Sequence, residues 1–361
     1  MRPISHWGQL REELSGMDES YPGGRGLSGL AVLAPGQGAQ RPGMLLPWLT
    51  TDVRQLLDVW SQQCDVDLLG LGTTASAADL VDTAVAQPLL VATALIAYRR
   101  LAQRVSVPAW APVAGHSVGE LVAMAIADVI TEQEAVVLAA ARGRAMAAAC
   151  GLDRTGMSAV MGPDVPTILA VATDLGLTPA NVNSSRQLVL AGDQERLRRL
   201  ADRLPADVKV VPLKVAGAFH TAYMRPAQQM FARVADRVDP GDPSRPLLSN
   251  ADGRTIETGT EAMVRLVAQI TEPVRWDLCM AGLGDLGVSL AVELPPAGVL
   301  SGMLRHGLPH VARRPLISPE ALTEVETGNA TEPAGQHRAA APPEMKVQHG
   351  VGNSTASTHV A

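Results

Sequence analysis

The chain has 361 residues, of which 47% are hydrophobic and 3% aromatic, so its composition allows a large core made mostly of aliphatic side chains. A net charge of −6 without a basic stripe argues against a nucleic-acid-binding protein. The three cysteines are scattered and show no metal-ligand spacing, which indicates a reducing compartment without disulfides. Because the sequence has neither a signal-peptide pattern nor a long uncharged apolar run, we expect a cytoplasmic protein without a membrane partner.

Both ends of the chain differ in composition from its middle. Residues 1–28 are polar and become glycine-rich, which predicts a flexible N-terminal extension. Residues 317–361 are rich in Ala, Pro, Thr, Glu and Gly and lack apolar periodicity, which predicts a disordered C-terminal tail. The folded part is therefore expected between these two segments.

The middle of the chain alternates short apolar runs with longer helical patterns, which is typical of an α/β fold with a largely parallel sheet. Thr131-Glu132-Gln133-Glu134 fits a capping box and marks the start of one helix. In chain order, the pattern predicts a strand at 30–33, a helix at 83–101, a strand at 112–114, helices at 120–126 and 131–149, and strands at 208–215 and 290–294.

The spacing of the elements becomes shorter between residues 156 and 214. Short strands are predicted at 158–161 and 187–190, and helices at 165–175 and 194–204. This strand–helix–strand–helix block, followed by a further strand, predicts a small ferredoxin-like α+β subdomain. Its predicted bounds are 156–214. The flanking residues 29–155 and 215–316 are expected to form a hydrolase-like large α/β subdomain.

The pentapeptide Gly115-His116-Ser117-Val118-Gly119 matches the Gly-x-Ser-x-Gly pattern of a nucleophile elbow. It follows a predicted strand and precedes a predicted helix, and the small residues on both sides permit the sharp turn that an elbow needs. The start of a helix offers free N–H groups and a dipole that favour developing negative charge. Ser117 is therefore the candidate nucleophile. A glycine-rich turn without a catalytic role is the simpler alternative.

A serine hydroxyl needs a base at neutral pH, and the chain contains eight histidines. Four lie in the predicted extensions, and two lie in a polar segment near the end of the fold. His116 is adjacent to Ser117, so its side chain is expected to point elsewhere. His220 follows the strand predicted at 208–215, and sheets present catalytic groups at strand ends. His220 is thus the candidate base.

Five segments of the chain together resemble one family. They are Pro35-Gly36-Gln37-Gly38-Ala39-Gln40, Gly115-His116-Ser117-Val118-Gly119-Glu120, Arg142-Gly143-Arg144-Ala145-Met146, Gly217-Ala218-Phe219-His220 and Glu293-Leu294-Pro295-Pro296-Ala297-Gly298-Val299-Leu300. In order and spacing they resemble the malonyl-CoA:acyl carrier protein transacylases of bacterial fatty acid synthesis and the related acyltransferase domains of polyketide synthases. The resemblance covers about residues 29–312, and the chain looks similar to the free-standing actinobacterial enzymes in particular.

The resemblance implies roles for the catalytic residues. Ser117 would be the acylated nucleophile and His220 its base, as a dyad without an aspartate. The backbone carbonyl of Gln269 would orient the histidine. The backbone N–H groups of Val118 and Gln37 would form the oxyanion hole.

The resemblance also implies the substrate. Arg142 lies at the position of the family's malonate-binding arginine, and its planar guanidinium suits a free carboxylate. In related acyltransferases a phenylalanine before the histidine goes with malonyl and a serine with methylmalonyl. Phe219 therefore favours malonyl, because a bulky ring leaves less room for an α-methyl group. Four further residues match positions of the family's substrate pocket: Gln87, Met146, Asn181 and Asn183.

The family's reaction is a ping-pong transfer through an acyl-serine intermediate. The expected partners are malonyl-CoA and a holo acyl carrier protein, whose phosphopantetheine thiol takes the malonyl group. A coenzyme A thioester is then a substrate, and no permanently bound cofactor and no metal are expected. Two alternatives stay open: a discrete polyketide-pathway acyltransferase with a different acyl-CoA or acyl-carrier substrate, and a serine esterase or thioesterase.

Two features stay outside this assignment. The family's Glu-x-Gly-Pro-Gly segment is Glu293-Leu294-Pro295-Pro296-Ala297 here, so two prolines stiffen a loop near the cleft. An acidic carrier protein needs a basic docking patch, although arginine clusters are more often solvated surface charges. The candidate clusters are Arg196, Arg198 and Arg199, and Arg305, Arg313 and Arg314.

Overall fold

The computed structural model describes residues 29–326. The predicted N-terminal extension, 1–28, and the part of the predicted tail from residue 327 to 361 lie outside the described residues. Within residues 29–326, no helix is both long and apolar enough to span a membrane.

The described strands and α-helices alternate along most of the chain. The strands are β1 (Leu30–Ala34), β2 (Val113–Gly115), β3 (Thr155–Met161), β4 (Thr178–Ser184), β5 (Gln187–Asp193), β6 (Lys209–Pro212), β7 (Leu247–Leu248), β8 (Leu290–Glu293) and β9 (Ala312–Pro315). The α-helices are α1 (Thr51–Cys64), α2 (Leu68–Thr74), α3 (Thr83–Arg104), α4 (Gly119–Ile126), α5 (Glu132–Cys150), α6 (Val165–Asp174), α7 (Gln194–Arg198), α8 (Leu200–Arg203), α9 (Arg225–Ala235), α10 (Gly259–Ala268), α11 (Trp276–Asp285), α12 (Val299–Gly307) and α13 (Ala321–Glu326). Short 3-10 turns lie at Leu46–Trp48, Asp79–Val81 and Ala222–Met224.

The larger sheet has five strands in the order β7-β2-β1-β8-β9. All its neighbouring strands run parallel, with Val32 of β1 opposite Val113 of β2 and Leu30 opposite Leu290 of β8. Every residue of β1 is buried, as expected for a central strand of a parallel sheet covered on both faces. The prediction of an α/β fold with a parallel sheet is confirmed.

The smaller sheet has four strands in the order β4-β5-β3-β6, and all its pairs are antiparallel. Helices α6, α7 and α8 connect its strands, and they cover one face through a separate apolar cluster that includes Val160, Ile168 and Leu190. All four strands of this sheet come from one continuous segment of the chain, residues 155–212. The exact subdomain boundaries at residues 156 and 214 stay a prediction.

Helix α5 begins with the predicted capping box. Thr131 accepts a hydrogen bond from the backbone N–H of Glu134, whose side chain accepts one from the backbone N–H of Thr131. Helix α5 packs against α3, and its inner face carries Arg142, which is wholly buried. The capping box therefore fixes the start of the helix that brings this guanidinium into the interior.

Several predicted elements differ from the observed ones. Strand β4 was missed, because Pro179, Asn181 and Asn183 lower its β-propensity. The helix predicted at 194–204 is divided into α7 and α8, and the strand predicted at 208–215 ends at Pro212. The prediction of a disordered tail from residue 317 is wrong for residues 321–326, which form α13. The buried side chains of Leu322 and Val325 attach this helix to the fold.

Candidate active site

Ser117 lies in a sharp turn between β2 and α4. Its φ of 54° is in the left-handed region, which non-glycine residues rarely adopt. A Cβ atom on Gly115 would overlap the backbone of Gly119, and one on Gly119 would overlap the carbonyl oxygen of Ala34. The two glycines are thus needed for strand and helix to approach each other closely, and they hold Ser117 at the start of α4.

The side chains of Ser117 and His220 form a hydrogen-bonded pair. Ser117 Oγ lies 2.7 Å from His220 Nε2, and His220 Nδ1 lies 2.7 Å from the backbone carbonyl oxygen of Gln269. A carbonyl only accepts hydrogen bonds, so Nδ1 carries the proton and Nε2 is left to accept one from the serine hydroxyl. The pair is 8% and 3% exposed, respectively.

His220 is not at a strand end, as the sequence suggested. β6 ends at Pro212, and His220 lies in the following loop, just before the 3-10 turn Ala222–Met224. Its φ of 59° is also in the left-handed region. The hydrogen bond from Nδ1 to Gln269 and the burial of the neighbouring Phe219 hold the ring in the loop.

Arg142 approaches the nucleophile from α5. Its Nη1 donates to Gln87 Oε1 at 2.8 Å, and its Nη2 lies 2.9 Å from Gln269 Oε1 and 3.3 Å from Ser117 Oγ. Among the described residues, Arg142 Nε has no hydrogen-bond partner although it is buried. The guanidinium is therefore anchored by two glutamines and keeps an unused donor.

The Gln269 side chain connects several parts of the site, which the sequence did not indicate. Its Oε1 accepts from Arg142, and its Nε2 lies 2.6 Å from Glu120 Oε2 and 3.2 Å from the backbone oxygen of Ser117. The same residue contacts His220 through its backbone carbonyl. The sequence resemblance indicated only this backbone contact.

Asn250 is a second residue of the site that sequence reasoning missed. Its Oδ1 accepts a hydrogen bond from the backbone N–H of Ser117 at 2.8 Å, and its Nδ2 donates to the backbone oxygen of Gly115 at 2.7 Å. The backbone N–H of Asn250 in turn donates to Glu120 Oε1 at 2.6 Å. Asn250 thus holds both ends of the elbow, from a loop far away in the sequence.

Burial shifts the pKa values of the charged groups. It lowers the pKa of His220 to about 3, with a further contribution from the nearby positive charge of Arg142. It lowers the pKa of Arg142 to about 10, which leaves the guanidinium charged at neutral pH. It raises the pKa of Glu120 to about 7, against the hydrogen bond from Asn250 and the charge of Arg142. His220 is therefore neutral at pH 7 and able to accept a proton.

A cavity of about 220 Å³ opens beside the Ser117–His220 pair. It is lined by residues of the smaller sheet, of helices α3, α5 and α12, and of the loops that follow β1, β2 and β6. The lining includes nine of the predicted site residues: Gln37, Gln87, Ser117, Arg142, Met146, Asn181, Asn183, Phe219 and His220.

Two predicted site residues lie behind the cavity wall. Val118 is wholly buried at the start of α4, and Gln269 contacts the site from the end of α10. Gln37 lies at the cavity, and its Nε2 donates to Thr83 Oγ1 at 3.1 Å. His116 also lines the cavity, but its Nε2 lies 3.2 Å from Asn183 Oδ1 rather than at the serine hydroxyl.

The Pro295-Pro296 segment lies next to the cavity without contributing a lining residue. Both prolines are buried. Glu293, just before them, accepts hydrogen bonds from the backbone N–H groups of Leu300 and Ser301 at 2.9 and 2.8 Å. The carboxylate thereby caps α12, whose first turn lines the cavity.

The arginine clusters proposed for docking lie on different parts of the structure. Arg196 and Arg199 line a second concavity near the end of α6, while Arg198 pairs with Glu195 at 2.8 Å. Arg313 and Arg314 lie on β9 and are partly buried. Their role in docking stays a prediction.

Comparison with known proteins gives one consistent result. Residues 32–327 match the family model described as the acyl transferase domain. The chain is 49% identical to a malonyl CoA-acyl carrier protein transacylase of Mycobacterium tuberculosis over 298 residues, which are 82% of this chain and 99% of the relative. It is 30% identical to the Escherichia coli protein of the same name, over 81% of this chain and 97% of that relative.

Solved structures of malonyl transacylases resemble the fold of this chain as well. The crystal structure of MCAT from Mycobacterium tuberculosis matches with a TM-score of 0.80 and 48% identity, over 82% of this chain and 99% of that one. A type II polyketide synthase acyl carrier protein in complex with its malonyl-transacylase matches with a TM-score of 0.78 and 28% identity, over 83% of this chain and 99% of that one.

Proposed function

The chain belongs to the malonyl-CoA:acyl carrier protein transacylases of the acyl transferase domain family, and we propose that it transfers malonyl from malonyl-CoA to the phosphopantetheine thiol of an acyl carrier protein. The observation that carries this proposal is the position of Arg142. A buried guanidinium that lines the cavity 3.3 Å from the nucleophilic oxygen suits an acyl group that ends in a carboxylate.

In the first half-reaction, malonyl-CoA enters with its carboxylate on Arg142. Ser117 Oγ attacks the thioester carbonyl carbon, and its proton passes to His220 Nε2, with which it already shares a hydrogen bond. The C–S bond then breaks, His220 returns the proton to the coenzyme A sulfur, and a malonyl-serine ester remains. In the second half-reaction, the phosphopantetheine thiol gives its proton to His220 and attacks the ester. Ser117 leaves and regains a proton.

The oxyanion hole is assigned to the backbone N–H groups of Val118 and Gln37. The N–H of Ser117 itself is committed to Asn250 Oδ1, so it is not available. Val118 precedes the first residue of α4, where N–H groups have no acceptor within the helix and the dipole favours negative charge. These donors would stabilise the negative oxygen of the tetrahedral intermediate.

Substrate binding would also strengthen the base. The positive charge of Arg142 contributes to the low pKa of His220. A malonyl carboxylate on Arg142 offsets that charge, so the pKa of His220 rises when the matching substrate is bound. An acetyl group leaves the charge unpaired and gains no such effect.

The shape and charge of the site disfavour acyl groups other than malonyl. Phe219 is 5% exposed and lines the cavity, so it limits the room for an α-methyl group. Arg142 disfavours acyl groups without a carboxylate, because a buried charge would stay unpaired. We therefore assign malonyl rather than another acyl group, for a carrier protein of either fatty acid or polyketide synthesis.

The protein needs no resident cofactor for this chemistry, because coenzyme A arrives with the substrate and phosphopantetheine arrives with the carrier protein. We propose a cytoplasmic location. It is supported by Cys64, Cys150 and Cys279, which are all free thiols.

Initial-rate kinetics with malonyl-CoA and a holo acyl carrier protein test the proposal. A ping-pong transferase gives parallel double-reciprocal lines, and its release of coenzyme A depends on the carrier protein. The matched control is the apo carrier protein, which lacks the thiol and should not support turnover. Steady release of coenzyme A and free malonate without any carrier protein would instead identify a thioesterase.

A further inference from the structure

Glu120 is a buried carboxylate beside the catalytic pair that the reaction described above does not use. It is 5% exposed and lies one turn into α4 from Ser117. Its two oxygens accept hydrogen bonds from the backbone N–H of Asn250 and from Gln269 Nε2, each at 2.6 Å. Both oxygens accept, as they do in the ionised form, and the hydrogen bond from Asn250 opposes the burial that raises the pKa of Glu120 to about 7.

Gln269 joins Glu120 to Arg142. The carboxylate accepts from the NH₂ end of the amide, and the guanidinium Nη2 donates to its oxygen at 2.9 Å. A carboxylate accepts only and a guanidinium donates only, so the two charges permit a single orientation of the amide. Each bond also polarises the amide in the direction that strengthens the other. Glu120 thereby determines which atom Gln269 presents to Arg142.

The arrangement also balances charge. Arg142 is wholly buried. Within the described residues it forms no direct ion pair with Glu120, and the side chain of Gln269 bridges the two charged groups. A carboxylate in direct contact would occupy the guanidinium and compete with a substrate carboxylate. A carboxylate one amide away stabilises the buried charge and leaves the guanidinium, which lines the cavity, without a direct carboxylate partner among the described residues.

We propose that Glu120 is a positioning residue that, through the side chain of Gln269, holds Arg142 ready for the malonyl carboxylate and so sets the preference for malonyl over acetyl groups. This inference rests on the proposed malonyl transfer. It assigns the discrimination between acyl groups to a three-residue chain, Glu120–Gln269–Arg142, rather than to the arginine alone.

A double-mutant cycle tests the proposal. The variants Glu120→Gln, Arg142→Met and the double variant are each exposed to malonyl-CoA and to acetyl-CoA, and the loading rate of Ser117 is measured by intact-protein mass spectrometry. Glu120→Gln keeps the size of the side chain but removes its charge and sets an amide against donors. We expect the malonyl-to-acetyl ratio of kcat/KM to fall about 10- to 100-fold, mainly through KM for malonyl-CoA.

In the Arg142→Met background, the same Glu120→Gln change should alter the ratio less than about threefold, because the residue through which Glu120 acts is gone. An equal fall of the ratio in both backgrounds, or an unchanged ratio in the single variant, overturns the proposal. Parallel loss of malonyl and acetyl loading in Glu120→Gln also overturns it, since that result indicates a structural role only.

The matched control is Glu293→Gln, which neutralises another buried carboxylate that accepts two backbone N–H bonds but has no contact with Gln269. Its malonyl-to-acetyl ratio should stay within about twofold of the wild type. If Glu120→Gln does not fold, Gln269→Glu serves instead. It places a carboxylate directly on Arg142 and should lower the ratio, and an unchanged ratio contradicts the proposal. Absence of malonyl loading in the wild type would refute the proposed function itself.

Discussion

Replacement of Arg142 by methionine should abolish the preference of the site for malonyl over acetyl groups. The side chain is wholly buried, and methionine retains much of its aliphatic volume, so the change removes charge and donors without opening a large void. Malonyl loading should fall steeply, while acetyl loading should be unchanged or rise because no unpaired charge is left beside the acyl group.

The size of the effect follows from the donors that are lost. A hydrogen bond to a charged group contributes about 1.5–3 kcal/mol, and a guanidinium can offer a carboxylate two of them. The loss of about 3–6 kcal/mol corresponds to a fall in kcat/KM for malonyl-CoA of roughly 10²- to 10⁴-fold. Gln87 Oε1 and Gln269 Oε1 also lose a donor, so a lower melting temperature is expected.

The assay is competition between malonyl-CoA and acetyl-CoA for Ser117, read as the ratio of the two adduct masses. Arg142→Lys is the matched control, because it keeps the charge but lacks the planar fork and should retain part of the malonyl preference. Equal loss of both adducts in Arg142→Met, or an unchanged ratio, would refute the assignment of Arg142 to the substrate carboxylate.

Four further predictions follow from the geometry of the site. Because burial and the Arg142 charge lower the pKa of His220 from 6.5 to about 3, the base is neutral well below pH 6.5; kcat/KM for acetyl-CoA should therefore show no acid limb near pH 6.5, and a limb there would contradict the burial argument. The same lowered pKa contributes stability that is complete above pH 6.5 and is lost as the pH falls towards 3, so urea unfolding of the wild type should weaken over this window more than that of His220→Gln. Phe219→Ser should raise methylmalonyl loading relative to malonyl by about 5- to 100-fold in the same competition assay, and an unchanged ratio would show that the ring does not limit the α-position. Gly115→Ala should abolish acylation, since its Cβ would overlap the Gly119 backbone; wild-type labelling of this variant would show that the elbow tolerates a side chain.

Local signals in the sequence predicted the parts of the site that lie on one segment. The elbow around Ser117 and the capping box at Thr131 depend on residues within a few positions of each other, and both have the expected conformation. The parallel sheet was predictable because its inner strands β1, β2 and β8 are buried on both faces and form short apolar runs in the sequence.

The contacts that the sequence did not reveal join segments far apart in the chain. Asn250 reaches the elbow from the loop after β7, and the Gln269 side chain reaches Arg142 and Glu120 from the end of α10. Neither residue has a local pattern that marks it. Glu120 itself was visible in the motif, but a glutamate in the first turn of a helix is usually explained by the helix dipole, so its link to Arg142 needed the fold.

The position of His220 shows a related limit. Elimination among eight histidines selected it, but the sequence suggested a strand end, whereas it lies in a loop at a positive φ. A backbone conformation of this kind depends on tertiary contacts, here the bond from Nδ1 to the carbonyl of Gln269. Residue type was therefore easier to predict than the geometry that orients it.

The most direct test of the proposed reaction is intact-protein mass spectrometry of the wild type and Ser117→Ala after brief exposure to malonyl-CoA. We expect one malonyl adduct on the wild type, none on the variant, and removal of the adduct when a holo acyl carrier protein is added, with the malonyl mass gained by the carrier. An adduct that persists on Ser117→Ala, or one that water removes as fast as the carrier protein does, would contradict the proposed reaction.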